Sequence, residues 1–132
     1  MKNSPQTELR QMIADHMENG FLENIIDMFR HDSSLYSLVP GLILDERVRV
    51  RVGVTALMEE LKRLDPGNVV LALGGLLPLL GHEDPVARGD AANLAGIIGD
   101  REALPYLERL LSDQNGNVRI IAKEAIEEIR KQ

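Results

Sequence analysis

The chain has 132 residues, which suits one domain rather than two. Hydrophobic residues make up 44% and charged residues 27% of it, which argues against intrinsic disorder and for a folded globular protein. The absence of cysteine excludes disulfides, thiolate metal sites and cysteine nucleophiles, and a net charge of −6 argues against nucleic-acid binding, which needs a basic footprint.

Two short helices are predicted at the start of the chain. Ser4 and Pro5 provide a hydroxyl N-cap followed by a proline at the first helical position, and Gly20 is placed to end the helix. Residues at helical spacing form one stripe in each helix: Leu9, Met12, Ile13, His16 and Met17, then Leu22, Ile25, Ile26 and Phe29. We interpret His16 as a packed histidine, because no other histidine lies at metal-ligand spacing.

A third and a fourth helix are predicted next. Asp32-Ser33-Ser34 supplies caps for a helix over Leu35–Leu44. The following segment, Arg47–Val54, alternates arginine and valine with period two, which taken alone favours a strand. A wider window instead gives a helical stripe: Val50, Val54, Leu57, Met58 and Leu61. A helix over Arg47–Leu64 is therefore predicted.

A pattern of this kind recurs twice more along the chain. Three segments align without gaps around an arginine near the start of a helix: Arg51, Arg88 and Arg119. Six residues before each arginine, an apolar helix ends at a polar residue: Asp45, His82 and Asp113. A helix–turn–helix unit of about 31 residues that recurs in this way is typical of a solenoid.

Four segments carry a more specific pattern: Glu83–Arg88, Ile98–Leu107, Leu110–Asp113 and Asn117–Arg119. Together they resemble the HEAT-like repeat family, in the short form also found in phycobilisome lyases. The resemblance implies an all-α fold, a right-handed α-solenoid of about three HEAT-like helical hairpins behind an N-terminal helical cap. We expect a single domain over 1–132, with a helical pair at 4–31 and repeats at 33–64, 67–99 and 101–131.

The resemblance also implies a structural role for the three repeated arginines. In such families the arginine and a preceding acid form a ladder between repeats, and Asp45 and Asp113 would supply that acid here. A phosphate-binding role is the less favoured alternative, because planar guanidinium groups suit fixed carboxylate and carbonyl acceptors. Arg47 and Arg49 are then the expected exposed cations.

The middle unit departs from the family pattern. Gly74-Gly75 and Pro78 interrupt its first helix, and a bent or frayed helix is expected there. His82 replaces the usual acid, and we interpret it as a solvent-exposed turn residue.

No catalytic or cofactor motif is present. The sequence lacks a nucleophile elbow, a phosphate-binding glycine loop, a zinc-protease helix motif and a dinucleotide fingerprint. Asp113–Glu124 spaces oxygens as a calcium loop does, but Val118 stands where that loop needs glycine, so a turn between helices is the favoured interpretation. We expect no enzymatic activity, no cofactor and no metal site.

No segment resembles a targeting or membrane-spanning sequence. Met1–Glu8 lacks the apolar core of a signal peptide, and no apolar run reaches the ~20 residues that span a bilayer. A cytoplasmic protein that binds neither membrane nor nucleic acid is expected.

A non-catalytic protein–protein interaction module or scaffold is the leading hypothesis, with a partner segment held on the concave face of a small solenoid. The resemblance leaves open a bilin-lyase-like enzyme or lyase subunit, which would need a ligand pocket. A HEAT-type DNA glycosylase is disfavoured by the acidic charge balance and the absence of Trp.

The candidate groove lies opposite the apolar stripe of each second helix. At 100° per residue, nine residues are placed there: Val52, Ala56, Glu59, Gly89, Asn93, Gly96, Ile120, Glu124 and Glu127. The two glycines predict a shallow notch of bare backbone, with Val52 and Ile120 as its apolar walls. Because the rim is acidic, we expect an apolar and basic helix or peptide as the partner.

The first helices of units one and two carry no charge over 33–44 and 66–81. A helix that faces solvent shows a polar stripe. We therefore expect Leu76, Leu77 and Leu80 to be covered, either by the N-terminal helices or by a second subunit in a homodimer.

Overall fold

The computed structural model describes residues 4–132, and every regular element among them is helical. An N-terminal pair, α1 (Pro5–Glu18) and α2 (Leu22–His31), precedes three two-helix units. The first helix of each unit is broken into short 3₁₀ and α pieces: Ser33–Leu38 and α3 (Val39–Leu42); Val69–Ala72, α5 (Leu73–Leu76) and Leu77–Gly81; Arg101–Ala103, α7 (Leu104–Arg109) and Leu110–Ser112. The second helix of each unit is continuous: α4 (Val48–Leu64), α6 (Pro85–Ile98) and α8 (Gly116–Arg130).

Local capping sets both ends of α1, as the sequence predicts, and it also sets the end of α6. The Ser4 Oγ accepts a hydrogen bond from the Thr7 N–H at 3.1 Å and so caps α1. Gly20 follows α1 with φ +86°, and Gly99 ends α6 with φ +79°, a left-handed conformation that side chains with a Cβ rarely adopt. The Lys62 ammonium of α4 also donates to the Ile98 carbonyl at 2.7 Å, which ties the end of α6 to the preceding unit.

The segment Arg47–Val54, whose pattern allowed a strand or a helix, belongs to α4 from Val48 onward. The helical stripe predicted from the longer segment is therefore correct. All five residues of the predicted stripe are fully buried: Val50, Val54, Leu57, Met58 and Leu61. A strand would have put Val48 and Val52 on the same face as Val50. In the structure Val48 is 63% and Val52 is 62% exposed, so burial follows the helical period.

The first helices are less regular than predicted. The expected helix over Leu35–Leu44 begins at Ser33 as a 3₁₀ helix and ends at Leu42, and the interruption predicted for unit two alone occurs in all three units. Each of these helices contains a proline, namely Pro40, Pro78 or Pro105. Since proline has no N–H to donate, it removes one α-helical hydrogen bond and favours short pieces.

The N-terminal pair covers unit one. α1 and α2 both pack against α4, and α2 also packs against Ser33–Leu38. Phe29 of α2 meets Tyr36 edge-on, with ring centroids 5.2 Å apart. The Tyr36 hydroxyl donates to the Asp65 Oδ2 at 2.8 Å, and burial, with this bond and the Asp65 charge, raises the pKa of Tyr36. The core therefore has one aromatic pair in an aliphatic surround.

The uncharged helix of unit two is covered differently from the prediction. Leu76 is fully buried, Leu80 is 5% exposed and Leu77 is half-buried, and the segment that holds them packs chiefly against α6 of its own unit. The N-terminal pair does not cover this segment, so that alternative of the expectation was wrong. The exposed side of the segment consists of apolar or small residues instead of a polar stripe: Val70, Leu71, Gly74, Gly75, Pro78 and Gly81. A homodimer through this side stays a prediction.

Candidate binding surface

The second helices α4, α6 and α8 pack side by side and form one continuous layer. We call its solvent side the second-helix face. Six of the nine predicted groove residues are exposed on it: Val52, Glu59, Asn93, Ile120, Glu124 and Glu127. Ala56 is half-buried, whereas Gly89 and Gly96 are buried.

The predicted notch at the two glycines was wrong, because α8 fills it. A Cβ on Gly96 would stand 2.9 Å from the Ala125 Cα, and one on Gly89 would stand 3.2 Å from the Ile121 Cδ1. These glycines let α6 and α8 approach closely instead of exposing backbone to a ligand. What remains on the surface is a shallow groove of about 180 Å³, lined in part by Asn93, Gly96 and Glu124.

Charge on the second-helix face is unevenly paired. Glu60 binds Arg63 at 2.8 Å, and Glu128 approaches Lys131 at 3.8 Å. Among residues 4–132, three of the predicted carboxylates form no ion pair: Glu59, Glu124 and Glu127. Lys123 of α8 is exposed and pairs with none of them. The three carboxylates predicted for the rim are therefore exposed on this face without an ion pair, and their role as the rim of a binding groove stays a prediction.

The repeated arginines are structural, and each one binds the turn that precedes its own helix. The Nη1 of Arg51 donates to the carbonyls of residues 45 and 46 at 2.7 and 3.0 Å. The Nη1 of Arg88 binds the carbonyls of residues 82 and 83 at 2.9 and 3.1 Å, and that of Arg119 binds those of residues 113 and 114 at 2.6 and 3.2 Å. One nitrogen thus satisfies two carbonyls that follow the end of the first helix.

Arg88 alone completes the predicted contact between repeats. Its Nε and Nη2 donate to the two carboxylate oxygens of Asp113 at 2.8 and 2.9 Å, across the turn of unit three. This bidentate geometry is the strong form of an arginine–carboxylate pair. The Arg88 guanidinium holds the pKa of Asp113 below its usual range.

Asp45 does not join the ladder, contrary to the prediction. Its carboxylate is bound within its own turn by the Nε and Nη2 of Arg47 at 3.0 and 3.1 Å, which lowers the pKa of Asp45. Arg47 also binds Asp15 of α1 at 2.9 Å, so it is not the exposed cation predicted. Arg49 is exposed, with its Nη1 3.5 Å from the Glu18 carbonyl.

His82 caps its turn as Asp113 does, but it does not make the contact with the preceding unit that Asp113 makes. The two residues share a backbone conformation, with φ −63° and ψ 146° at His82 and φ −60° and ψ 146° at Asp113. The His82 Nδ1 accepts from the Asp84 N–H at 3.0 Å, as the Asp113 Oδ1 accepts from the Asn115 N–H at 2.9 Å. His82 is thus a half-buried turn cap and not the exposed residue predicted, but it offers no carboxylate to Arg51.

The side chains around these contacts do not form a metal centre in the described part of the chain. Within residues 4–132, no group of three histidine or acidic side chains is placed to hold a metal ion. The oxygens of the calcium-loop pattern are engaged elsewhere, because Asp113 binds Arg88 and Asn115 caps α8. His16 is half-buried, with its Nδ1 3.0 Å from the Met12 carbonyl, which suits a packed histidine. No helix of this part of the chain is long and apolar enough to cross a bilayer.

Comparison with known proteins agrees with this architecture. A family model of HEAT repeats matches residues 38–127, which covers the end of the first helix of unit one and continues into α8. No curated protein matches the chain. The stacked helix pairs carry an arginine bound at each turn, and the family model matches more than half of the sequence. The chain therefore belongs to the HEAT repeat family.

Proposed function

We propose that the protein is a non-catalytic interaction module that holds a segment of a partner protein on its second-helix face. HEAT repeats bind other proteins, and their stacked helices offer an extended surface rather than an enclosed pocket. The groove between α6 and α8 is shallow, at about 180 Å³, and suits side chains of a docked segment better than a whole small ligand.

One observation carries the proposal, namely the combination of exposed aliphatic side chains with unpaired carboxylates on this face. Val52 is 62% and Ile120 is 58% exposed. Ile120 lies one helical turn from Glu124, and Glu127 follows on the same side of α8. A partner helix or peptide with apolar residues beside lysine or arginine would cover the aliphatic groups and neutralise the carboxylates.

The test compares partner capture by matched variants. The tagged protein and its Ile120→Glu variant are used as baits in extract of the source cell, and the bound proteins are identified by mass spectrometry. Leu111→Glu is the control, because Leu111 is 44% exposed on the first-helix side. We expect one set of proteins to be retained by the parent and the control and lost by Ile120→Glu.

A second variant pair tests the chemistry of the partner. Glu124→Lys reverses the charge on the face, whereas Glu102→Lys reverses an exposed charge in unit three away from it. A basic partner is supported if Glu124→Lys loses the proteins that Ile120→Glu loses while Glu102→Lys retains them. Equal capture by all four variants would overturn the proposal.

A further inference from the structure

The first helix of unit two carries a strip of exposed, uncharged residues on its solvent side. Leu71, Gly74 and Pro78 are all exposed, and their spacing of three and four residues places them on one side of the segment. Leu71 is 53% exposed. We call these three residues the unit-two strip. No charged residue occurs over 66–81, so the strip is apolar along its whole length.

The strip ends in a groove of about 330 Å³ between the first helices of units two and three. Arg109 is the only charged residue among the described residues that line this groove. The rest of the lining is apolar or aromatic: Leu77, Pro78, Leu80, Tyr106 and Leu110 are part of it. An apolar groove with a single charged group favours an occupant that is apolar except for one complementary group.

The Arg109 guanidinium is held at the groove without an acidic partner. Its central carbon lies 5.3 Å from the centroid of the Tyr106 ring, which supports it from one side. Within residues 4–132, Arg109 forms no ion pair, and its neighbour Glu108 binds Arg130 at 3.3 Å. No acidic residue of this range lines the groove. The complementary group is therefore an acid that the occupant supplies.

Nothing in the fold explains why Gly74 lacks a side chain. Among the described residues only Gly20 and Gly99 have positive φ, and a Cβ at Gly74 would meet nothing within 4 Å. Its neighbour Gly75 differs, because a Cβ there would stand 2.6 Å from the Cγ of Pro40 in unit one. Glycine inside a helix is destabilising relative to alanine. A glycine that no internal neighbour requires suits a surface that another backbone approaches closely.

A helix of another protein fits this surface better than a second copy of the chain does. In an isologous dimer the same face meets itself, so Arg109 would again find no acid. An amphipathic helix can place aliphatic residues along the strip and insert one into the groove. It packs closely over Gly74, as α8 packs over Gly96 within this fold. An acidic residue one turn beyond the inserted side chain reaches the guanidinium.

We propose that the unit-two strip and its groove dock an amphipathic helix of a partner protein, with aliphatic residues on the strip and one aspartate or glutamate bound to Arg109. This surface belongs to the layer of first helices, whereas the function proposed above uses the second-helix face. Either proposal can therefore fail without the other.

A displayed library of helical peptides is the probe. Each peptide has leucine at i, i+3, i+4 and i+7, and its flanking positions vary among Glu, Gln and Lys. Binders selected on the parent are tested on Gly74→Glu and on the matched control Gly67→Glu, which changes an exposed glycine of the preceding turn that also has nothing within 4 Å of its Cβ. We expect a set of binders that Gly67→Glu retains and Gly74→Glu loses, with Glu at one fixed position.

Charge reversal at Arg109 tests the acidic contact. Because Arg109 is exposed, Arg109→Glu tests the proposal independently of Gly74→Glu, and we expect it to select Lys at the position where the parent selects Glu. Exchange of that Glu for Gln in one peptide should weaken its binding to the parent about tenfold, as measured by fluorescence anisotropy.

Three results would overturn the proposal: no binder distinguishes Gly74→Glu from Gly67→Glu, the lost binders show no preference for Glu, or Arg109→Glu leaves that preference unchanged. Sedimentation velocity tests the second copy as occupant. A dimer of the parent that dissociates in Gly74→Glu but persists in Gly67→Glu would assign the strip to a second copy and would also refute the proposal.

Discussion

Replacement of His82 by aspartate is expected to stabilise the protein. The backbone dihedral angles of His82 match those of Asp113 within a few degrees. Asp113 makes a bidentate contact with Arg88 of the preceding unit, so an aspartate at position 82 is placed to make the same contact with Arg51. The turn cap is preserved, because an aspartate oxygen accepts from the Asp84 N–H as the imidazole Nδ1 does. The change therefore adds the contact between repeats and removes no local one.

The expected gain is modest for structural reasons. A hydrogen bond to a charged group contributes about 1.5–3 kcal/mol when it is well buried, whereas exposed ion pairs contribute less than about 1 kcal/mol. The Arg51 side chain is 22% exposed, and Asp84 and Asp90 lie close enough to repel a new carboxylate. We expect about 1 kcal/mol of added stability, which raises the Tm of a domain of this size by roughly 3–4 °C.

Thermal unfolding followed by circular dichroism measures this change, with His82→Asn as the matched control. The asparagine oxygen keeps the turn cap but lacks the charge, so its Tm is expected to stay near that of the parent. At pH 3 the difference in Tm between His82→Asp and His82→Asn should shrink. A carboxylate stabilised by Arg51 has a lowered pKa in the folded state, and its contribution to stability disappears as the pH falls through that lowered value. A Tm for His82→Asp at or below that of His82→Asn at pH 7 would refute the reasoning.

Four further outcomes are expected from the packing, the exposed surface and the ion pairs. Gly96→Ala should destabilise the protein by about 1–3 kcal/mol in urea unfolding, because the added Cβ would lie 2.9 Å from the α8 backbone. Gly74→Ala should stabilise the protein by about 0.5–1 kcal/mol in the same assay, because a Cβ at this position contacts nothing within 4 Å. Ile120→Glu should change the unfolding free energy by less than about 0.5 kcal/mol while partner binding is lost, and unfolding of this variant would contradict the surface assignment. In Asp113→Asn, the free energy of unfolding should fall less steeply in acid than in the parent. Arg88 holds the pKa of Asp113 low in the folded state, and this contribution to stability is lost as the pH drops below the ordinary pKa of 3.8. Parallel acid-unfolding curves for parent and variant would contradict this prediction.

Sequence periodicity predicted the long helices well because it records which side of a helix is buried. The stripe that begins at Val50 is buried along its length, and the cap at Ser4 and the stop at Gly20 are where the pattern placed them. The first helices were harder to predict, since each is too short to show a period and contains a proline. Their division into 3₁₀ and α pieces depends on single hydrogen bonds that composition does not reveal.

The site was predicted less well because angles around one helix do not show where its neighbours lie. α6 has α4 on one side and α8 on the other, so only a narrow strip of it, around Asn93, reaches solvent. Gly96 points outward in projection but lies under α8. The ion-pair partner of Asp45 was a second source of error. Two arginines lie near Asp45 in the sequence, and Arg47, which lies in the same turn, binds both of its carboxylate oxygens.

The unequal junctions between the units have a mechanical consequence. α6 and α8 are held by two glycine-mediated contacts and a bidentate ion pair, whereas α4 and α6 share the single Lys62 tether and an incomplete arginine contact. A force applied to the two ends of the chain loads both junctions in series, so the weaker one separates first. In an optical trap, extension is therefore expected to occur in steps, with units two and three released last as one cooperative block.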